Sequence, residues 1–262
     1  MMLEGKRLVV IGGTTGLGLS AAAAFVREGA RVVVTGRDAD HCREAETRLG
    51  SSVKAIPADA VEEGSSEAAV EACITRFGGF DGLYHVAGGS GRRFGDGPLH
   101  ELTLEGWRRT IDLNMTSLML SNRAAVKAFL SQGHGGAILN MGSVLGMSPS
   151  PRHFTTHAYA AAKAAVIGLT RSAAAHYATD GIRVNVLAPA LVATPMSARA
   201  QDNPEIMDFI RTKQPLDGGR IGMPADLDGA AVYFLSDASR FTTGQVLHVD
   251  GGWDLSEGQY HD

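Results

Sequence analysis

Three features of the sequence predict a doubly wound α/β fold, a parallel sheet of about seven strands with helices on both faces. Short β-branched runs alternate with longer helical patterns from end to end. The strand runs are apolar without an alternating polar face, as in a parallel sheet buried on both sides. A glycine-rich turn, IGGTTGLG at 11–18, joins the first strand run to the first helical one.

The elements follow in order. RLVVIG (7–12) reads as a buried strand and LGLSAAAAFVREG (17–29) as a helix. ARVVVTG (30–36) is the second strand, with a helix around 38–49. SVKAIPAD (52–59) is the third strand, followed by a helix over 62–77. FDGLYHVAGG (80–89) is a strand ending in glycines, and one long helix is expected over 101–131. GGAILNMGS (135–143) is the fifth strand, with a helix over 156–179. GIRVNVLAP (181–189) is the sixth, with helices near 203–212 and 225–236. TGQVLHVDGG (243–252) is the last strand. Two stretches are less regular, 90–100 and 190–222; long loops on a rigid scaffold are where binding concentrates.

The chain has 262 residues, 44% hydrophobic and 20% charged, with a net charge of -4. No linker, repeat or low-complexity boundary divides it, so 1–262 is expected to be one domain. The mild charge argues against a nucleic-acid partner. Cys42 and Cys73 are too few for a disulfide framework and read as reduced, structural thiols. The opening MMLEGKRLVVIGG runs straight into glycines and reads as neither signal peptide nor membrane span, so a cytoplasmic protein without membrane attachment is expected.

Gly12, Gly16 and Gly18 have the spacing GxxxGxG. Glycines at a strand-to-helix turn let a pyrophosphate approach backbone N–H groups at the positive end of a helix. The position in the first βαβ unit is the context that chemistry needs, and it favours a dinucleotide site. An acidic residue closing the second strand would accept hydrogen bonds from an adenosine ribose and repel a 2′-phosphate. The chain has Thr35-Gly36-Arg37 there. Arg37 places NADP(H) ahead of NAD(H), although Asp38 follows directly and NAD(H) stays open.

HAYAAAK (157–163) puts Tyr159 and Lys163 four residues apart in a run of helix-forming alanines. They share one helix face, about 6 Å apart along the axis. Such a pair is an ordinary surface feature unless the rest of the chain supplies something for it to act on.

Together, GxxxGxG, YxxxK and the α/β pattern resemble the short-chain dehydrogenase/reductase family over essentially the whole chain. Further matches come in order. Asp59 resembles the adenine-holding aspartate, with Ala60 beside it. Ala87 and Gly88 resemble the segment after the fourth strand. Asn114 in IDLNMTS and Ser143 in ILNMGSVLG resemble the asparagine and serine of the active-site tetrad. Pro189, Val192 and Thr194 resemble the segment closing over the nicotinamide. The resemblance implies a catalytic set of Asn114, Ser143, Tyr159 and Lys163. It implies a cofactor set of Gly12, Thr14, Thr15, Gly16, Leu17, Gly18, Arg37, Asp59, Ala60, Ala87, Gly88, Tyr159, Lys163, Pro189, Val192 and Thr194. Ile11, His85, Val86 and Ala190 depart from the family pattern. The stretch between Ser143 and Tyr159 is longer than common and is expected to bulge over the substrate.

In that setting Tyr159 is the general acid in reduction and the general base in oxidation. Bringing a phenol from about 10 to near 7 takes about 4 kcal/mol. An ammonium about 5 Å away supplies roughly 3 kcal/mol at an effective dielectric of about 20. Ser143 would orient the substrate oxygen, and Asn114 would hold a water relaying protons from Lys163. The resemblance also implies pairing of the 101–131 and 156–179 helices across subunits, hence a homotetramer or at least a homodimer.

The expected activity is NADPH-linked interconversion of a secondary alcohol and a ketone, with a bulky, largely apolar carbonyl substrate. Apolar residues in the loops, among them Phe94, Met147, Phe154, Leu191, Met196, Met207 and Phe209, are expected to shape the pocket. The alternatives are NAD-linked oxidation of a diol or hydroxysteroid-like alcohol, and a catalytically silent dinucleotide sensor. An enoyl reductase would separate Tyr and Lys more widely, and an epimerase would be longer. His153 and His157 have helical metal spacing but no acidic partner, so no metal site is expected. Arg92 and Arg93 read as solvated loop residues ahead of an anion-binding role.

Overall fold

A computed structural model describes residues 1–258. Seven parallel strands form one sheet in the order β3-β2-β1-β4-β5-β6-β7. They are β1 (Arg7–Ile11), β2 (Arg31–Gly36), β3 (Val53–Pro57), β4 (Gly82–His85), β5 (Gly136–Met141), β6 (Ile182–Pro189) and β7 (Val246–Val249). Strand order reverses between β1 and β4, so the chain leaves their carboxyl ends in opposite directions and opens a crevice there.

Both faces of the sheet are buried, as the unbroken apolar runs predict. Leu8 and Val10 of β1 enter one core layer with Val32, Val34 and Phe25. Val9 and Ile11 point the other way, into a layer with Val33, Leu83 and Phe129. The first layer is covered by α1 (Gly16–Arg27) and α9 (Asp228–Leu235), whose buried residues include Ala21, Ala22, Phe25, Ala231 and Leu235. The second is covered by α3 (Ser65–Phe77) and α5 (Ser117–Gln132). There the Phe80 and Phe129 rings stack with centroids 4.7 Å apart.

The expected single helix over 101–131 is two helices. α4 (Leu104–Ile111) gives way to one wide π turn, Asp112–Thr116, before α5 begins. Composition could not show this break, because it depends on a side chain. The Asn114 amide donates to the Thr110 carbonyl, a carbonyl the α-helical ladder would otherwise use (2.9 Å). α6 (His157–Tyr177) packs beside α4 and the π turn.

In the 190–222 region the helix expected near 203–212 is α8 (Pro204–Lys213), and a short α7 (Ala198–Gln201), outside the expected elements, precedes it. The region is tied back by a bridge between Val192 and Gly222 and by Gln214, whose buried amide grips both backbone groups of Leu191 (3.0 and 3.2 Å). Among the described residues no helix is long and apolar enough to cross a membrane.

Candidate active site

Each sequence-selected residue leaves the carboxyl end of a strand or a helix packed beside it. At the end of β1, Gly12 has φ 84°, and a Cβ there would meet the Ala87 backbone at 2.8 Å. A Cβ at Gly18 would run into the Gly12 carbonyl, so only glycine lets α1 start this close to the strand. Thr15 precedes α1 without capping it through its side chain, and the first helical turn carries no acidic residue. The positive end of α1 is therefore uncompensated from within its own turn. Thr14 is buried against the end of β2, and Leu17 packs on the core. Gly16 faces the Thr194 side chain, so the glycine turn and the segment after β6 converge. Pro189 ends β6 and Val192 is buried. These residues form a cradle that fits a dinucleotide pyrophosphate.

Arg37 is exposed at the end of β2 and makes no ion pair among the described residues. The Asp38 carboxylate, which could have answered Arg37, instead caps α2 (Ala39–Leu49) by accepting from the Asp40 and His41 N–H groups (2.8 and 3.1 Å). Asp59 follows β3, accepts from the Val61 N–H (3.2 Å), and leads into Ala60. Arg37 and Asp59 thus stand at the ends of neighbouring strands, apart from the cluster around Tyr159.

That cluster is compact. The Ser143 side chain acts on the Tyr159 phenol, lowering it, and its hydroxyl accepts from the Leu145 N–H (3.2 Å). Lys163 is buried, its ammonium 5.5 Å from the centre of the Tyr159 ring and donating to the Met141 carbonyl (2.9 Å). A Cβ at Gly88 would lie 2.7 Å from the Asn114 Oδ1 and 3.7 Å from the Lys163 Nζ. The Asn114 side chain pairs with both backbone groups of Gly89, accepting from its N–H (3.1 Å) and donating to its carbonyl (2.8 Å). The π turn thus presents Asn114 to the segment after β4, and what the side chain holds is backbone.

The electrostatics differ from the sequence argument in one respect. Burial raises the Tyr159 phenol above its ordinary value, and Ser143 opposes that rise in part. Lys163 was expected to supply most of the lowering. Its own ammonium is instead pushed down to about 8 by burial, so it is still mostly charged at neutral pH. In the chain by itself Tyr159 is a protonated acid.

Some determinants escaped the sequence reading. Asp96 is buried, and its carboxylate accepts from the Ala158 and Tyr159 N–H groups (3.0 Å each). It caps α6 from 62 residues away, where the local cap residue Thr156 makes no capping bond through its side chain. Asn122, Asn140 and Thr170 form a buried hydrogen-bonded chain from α5 through β5 to α6. His85 replaces a family asparagine and is buried between Ser121 (2.8 Å) and Ser117 (3.4 Å) on α5. The only sequence signal for Asp96 is an acid between two glycines, GDG, in a loop beside the site. Of the apolar loop residues expected to shape the pocket, Phe154 and Phe209 turn inward instead and pack edge-on against Trp253 (5.8 and 5.7 Å).

Comparison with known proteins agrees with this geometry. A family model described as Enoyl-(Acyl carrier protein) reductase matches residues 12–254. A short-chain type dehydrogenase/reductase from Mycobacterium ulcerans has the same fold, with a TM-score of 0.90 and 32% identity over 98% of this chain and 93% of that one. The chain belongs to the short-chain dehydrogenase/reductase family. A family relative, the 2,5-dichloro-2,5-cyclohexadiene-1,4-diol dehydrogenase of Sphingobium indicum, is 36% identical over 252 residues, 96% of this chain and 98% of its own. Another, the NADP-dependent (R)-specific alcohol dehydrogenase of Lentilactobacillus kefiri, is 34% identical over 255 residues, 96% of this chain and 97% of its own. Like these short-chain dehydrogenases, the chain is an oxidoreductase that uses NAD(P)(H).

Proposed function

We propose that this enzyme interconverts a secondary alcohol and a ketone, and serves as an NADPH-linked reductase of a bulky, largely apolar carbonyl compound. The observation that carries the reading is a buried Lys163 with its ammonium 5.5 Å from the Tyr159 ring, with Ser143 acting on the same phenol, beside the glycine segment at Gly88. When bound, the nicotinamide supplies the hydride. The chain does the rest. Ser143 holds the substrate oxygen, and Tyr159 gives that oxygen its phenolic proton as negative charge develops there. Lys163 keeps a positive charge beside the resulting phenolate. At neutral pH the phenol holds the proton that reduction consumes. The Asn114 carboxamide anchors the segment at Gly88–Gly89, and we assign it the relay water that the family resemblance implies.

The enoyl-reductase description of the matching family model fits this site less well, because Tyr159 and Lys163 lie one helical turn apart. The NADP preference rests on Arg37, free to meet a 2′-phosphate while Asp38 is turned to its own helix. The diol-dehydrogenase relative favours a second reading, NAD-linked oxidation of a diol. Fluorescence titration of NADPH and NADH on wild type and Arg37→Ala separates the two. We expect NADPH to bind at least about tenfold more tightly than NADH, the scale of one charge-assisted hydrogen bond, and the preference to collapse in the variant. Tighter NADH binding, or a preference that the variant leaves unchanged, would move the diol reading to the front.

A further inference from the structure

Each of the three loops that border the crevice sends one arginine into the same groove. Arg92 comes from the loop after β4, Arg152 from the loop between β5 and α6, and Arg199 from α7 after β6. The groove holds about 340 Å3 and is also lined by His153, Thr155 and Asn203. The Arg92 and Arg199 guanidinium groups both donate to one neutral acceptor, the His153 carbonyl (3.4 and 3.3 Å). Two cations on one carbonyl are mutually unfavourable. The charge of Arg199, after burial, pushes Arg92 below its ordinary value.

The counter-charges do not balance the set. Glu205 pairs with Arg152. The charge of Asp96 acts on Arg92, but both Asp96 oxygens accept from the backbone at the start of α6. The His153 imidazole is pushed down, chiefly by burial, and adds no positive charge at neutral pH. Asn203 is turned to its own helix, accepting from the Ile206 N–H (3.2 Å). Among the described residues, three guanidinium groups therefore meet two carboxylates, both already engaged, and two of the guanidiniums share an acceptor weaker than an anion would be.

We propose that Arg92, Arg152 and Arg199 form a binding site for a negatively charged group, a carboxylate, sulfonate or phosphate, at the far end of the substrate whose carbonyl is reduced at Tyr159. The proposal rests on the ketone-reductase reading for its link to catalysis. Thr155, on the groove wall, is four residues before Tyr159, so their backbones are at most about 15 Å apart at 3.8 Å per residue. A substrate with an apolar middle and an anionic end could span that distance. Arg37, which we assign to the cofactor, lies outside the groove, so the two anion sites are separable.

The test uses a homologous series of methyl ketones ending in a carboxylate, each beside its neutral methyl ester. It compares wild type, the double variant Arg92→Gln/Arg199→Gln, and Arg93→Gln as a control. Arg93 lies over the Phe94 ring, outside the groove. For at least one chain length, kcat/KM for the carboxylate should exceed that for the ester by about tenfold or more. That ratio should fall towards one in the double variant and at high salt, and persist in the control. Saturation-transfer NMR of the same carboxylates, without cofactor, should show binding that the double variant loses. A ratio near one at every length in wild type, or one that the double variant preserves, overturns the proposal. If neither ketone nor ester is reduced, the ketone-reductase reading fails and the NMR arm decides: binding lost in the double variant supports the anion site, while absent or unaltered binding overturns it.

Discussion

His85 shows how a departure from a family pattern can be absorbed. A strand-end asparagine is replaced by an imidazole, which the fold buries and satisfies with two serine hydroxyls on α5. Burial, helped by the charge of Lys163, pushes the imidazole down to about 3. The unfolded chain takes up that proton near pH 6.5 and the folded chain does not. Stability is therefore full above about pH 6.5 and falls as the pH drops towards 3, at roughly 1.4 kcal/mol per unit from this one group. Urea titrations at about pH 6.5 and about pH 5, above most carboxylate titration, should show the loss in wild type and not in His85→Asn. An equal slope in both would remove His85 from the account. The sequence marked His85 only as a departure, because its partners lie 32 and 36 residues away in the chain.

At the scale of elements, the catalytic pair depends on where α6 begins. The sequence placed Tyr159 and Lys163 on one face of that helix from spacing alone, since a helical period is a local property. It did not find what starts the helix. The cap is Asp96, brought in from the loop after β4, and only the tertiary fold makes it a neighbour of the Tyr159 N–H. Asp96→Ala should lower stability by about 1–2 kcal/mol, the usual loss for a missing helix cap. It should also lower kcat by roughly tenfold or more, because a displaced general acid is a poor one, while NADPH affinity is retained. Stopped-flow turnover beside a cofactor titration separates the effects. An unchanged kcat would show that Asp96 only stabilises the fold. The same limit explains the broken 101–131 helix. No proline interrupts the stretch, and the π turn accompanies the hydrogen bonds of Asn114 to Gly89 and Thr110.

Across the whole molecule, the most legible features were those written in repeated pattern. Unbroken apolar runs identified both buried faces of the sheet, and the glycine turn located the crevice at its carboxyl edge. Val9 and Val10 entering opposite core layers is the direct consequence. Less legible were features set by long-range contact: Gln214 gripping Leu191, the inward turn of Phe154 and Phe209 onto Trp253, and the meeting of three arginines from three loops. The electrostatics of Tyr159 belong here too. Spacing predicted a lysine beside the phenol, and only packing shows that burial, opposed by Ser143, sets the balance.

The most direct test of the central claim is single-turnover reduction of a ketone panel by wild type and Tyr159→Phe, with NADPH affinity measured on both. Phenylalanine keeps the ring beside Lys163 and removes only the proton-bearing oxygen. The account predicts NADPH binding close to wild type and a loss of turnover of about 10²–10⁴-fold. Turnover within a few-fold of wild type in Tyr159→Phe would contradict it, because the proton would then come from a group other than Tyr159.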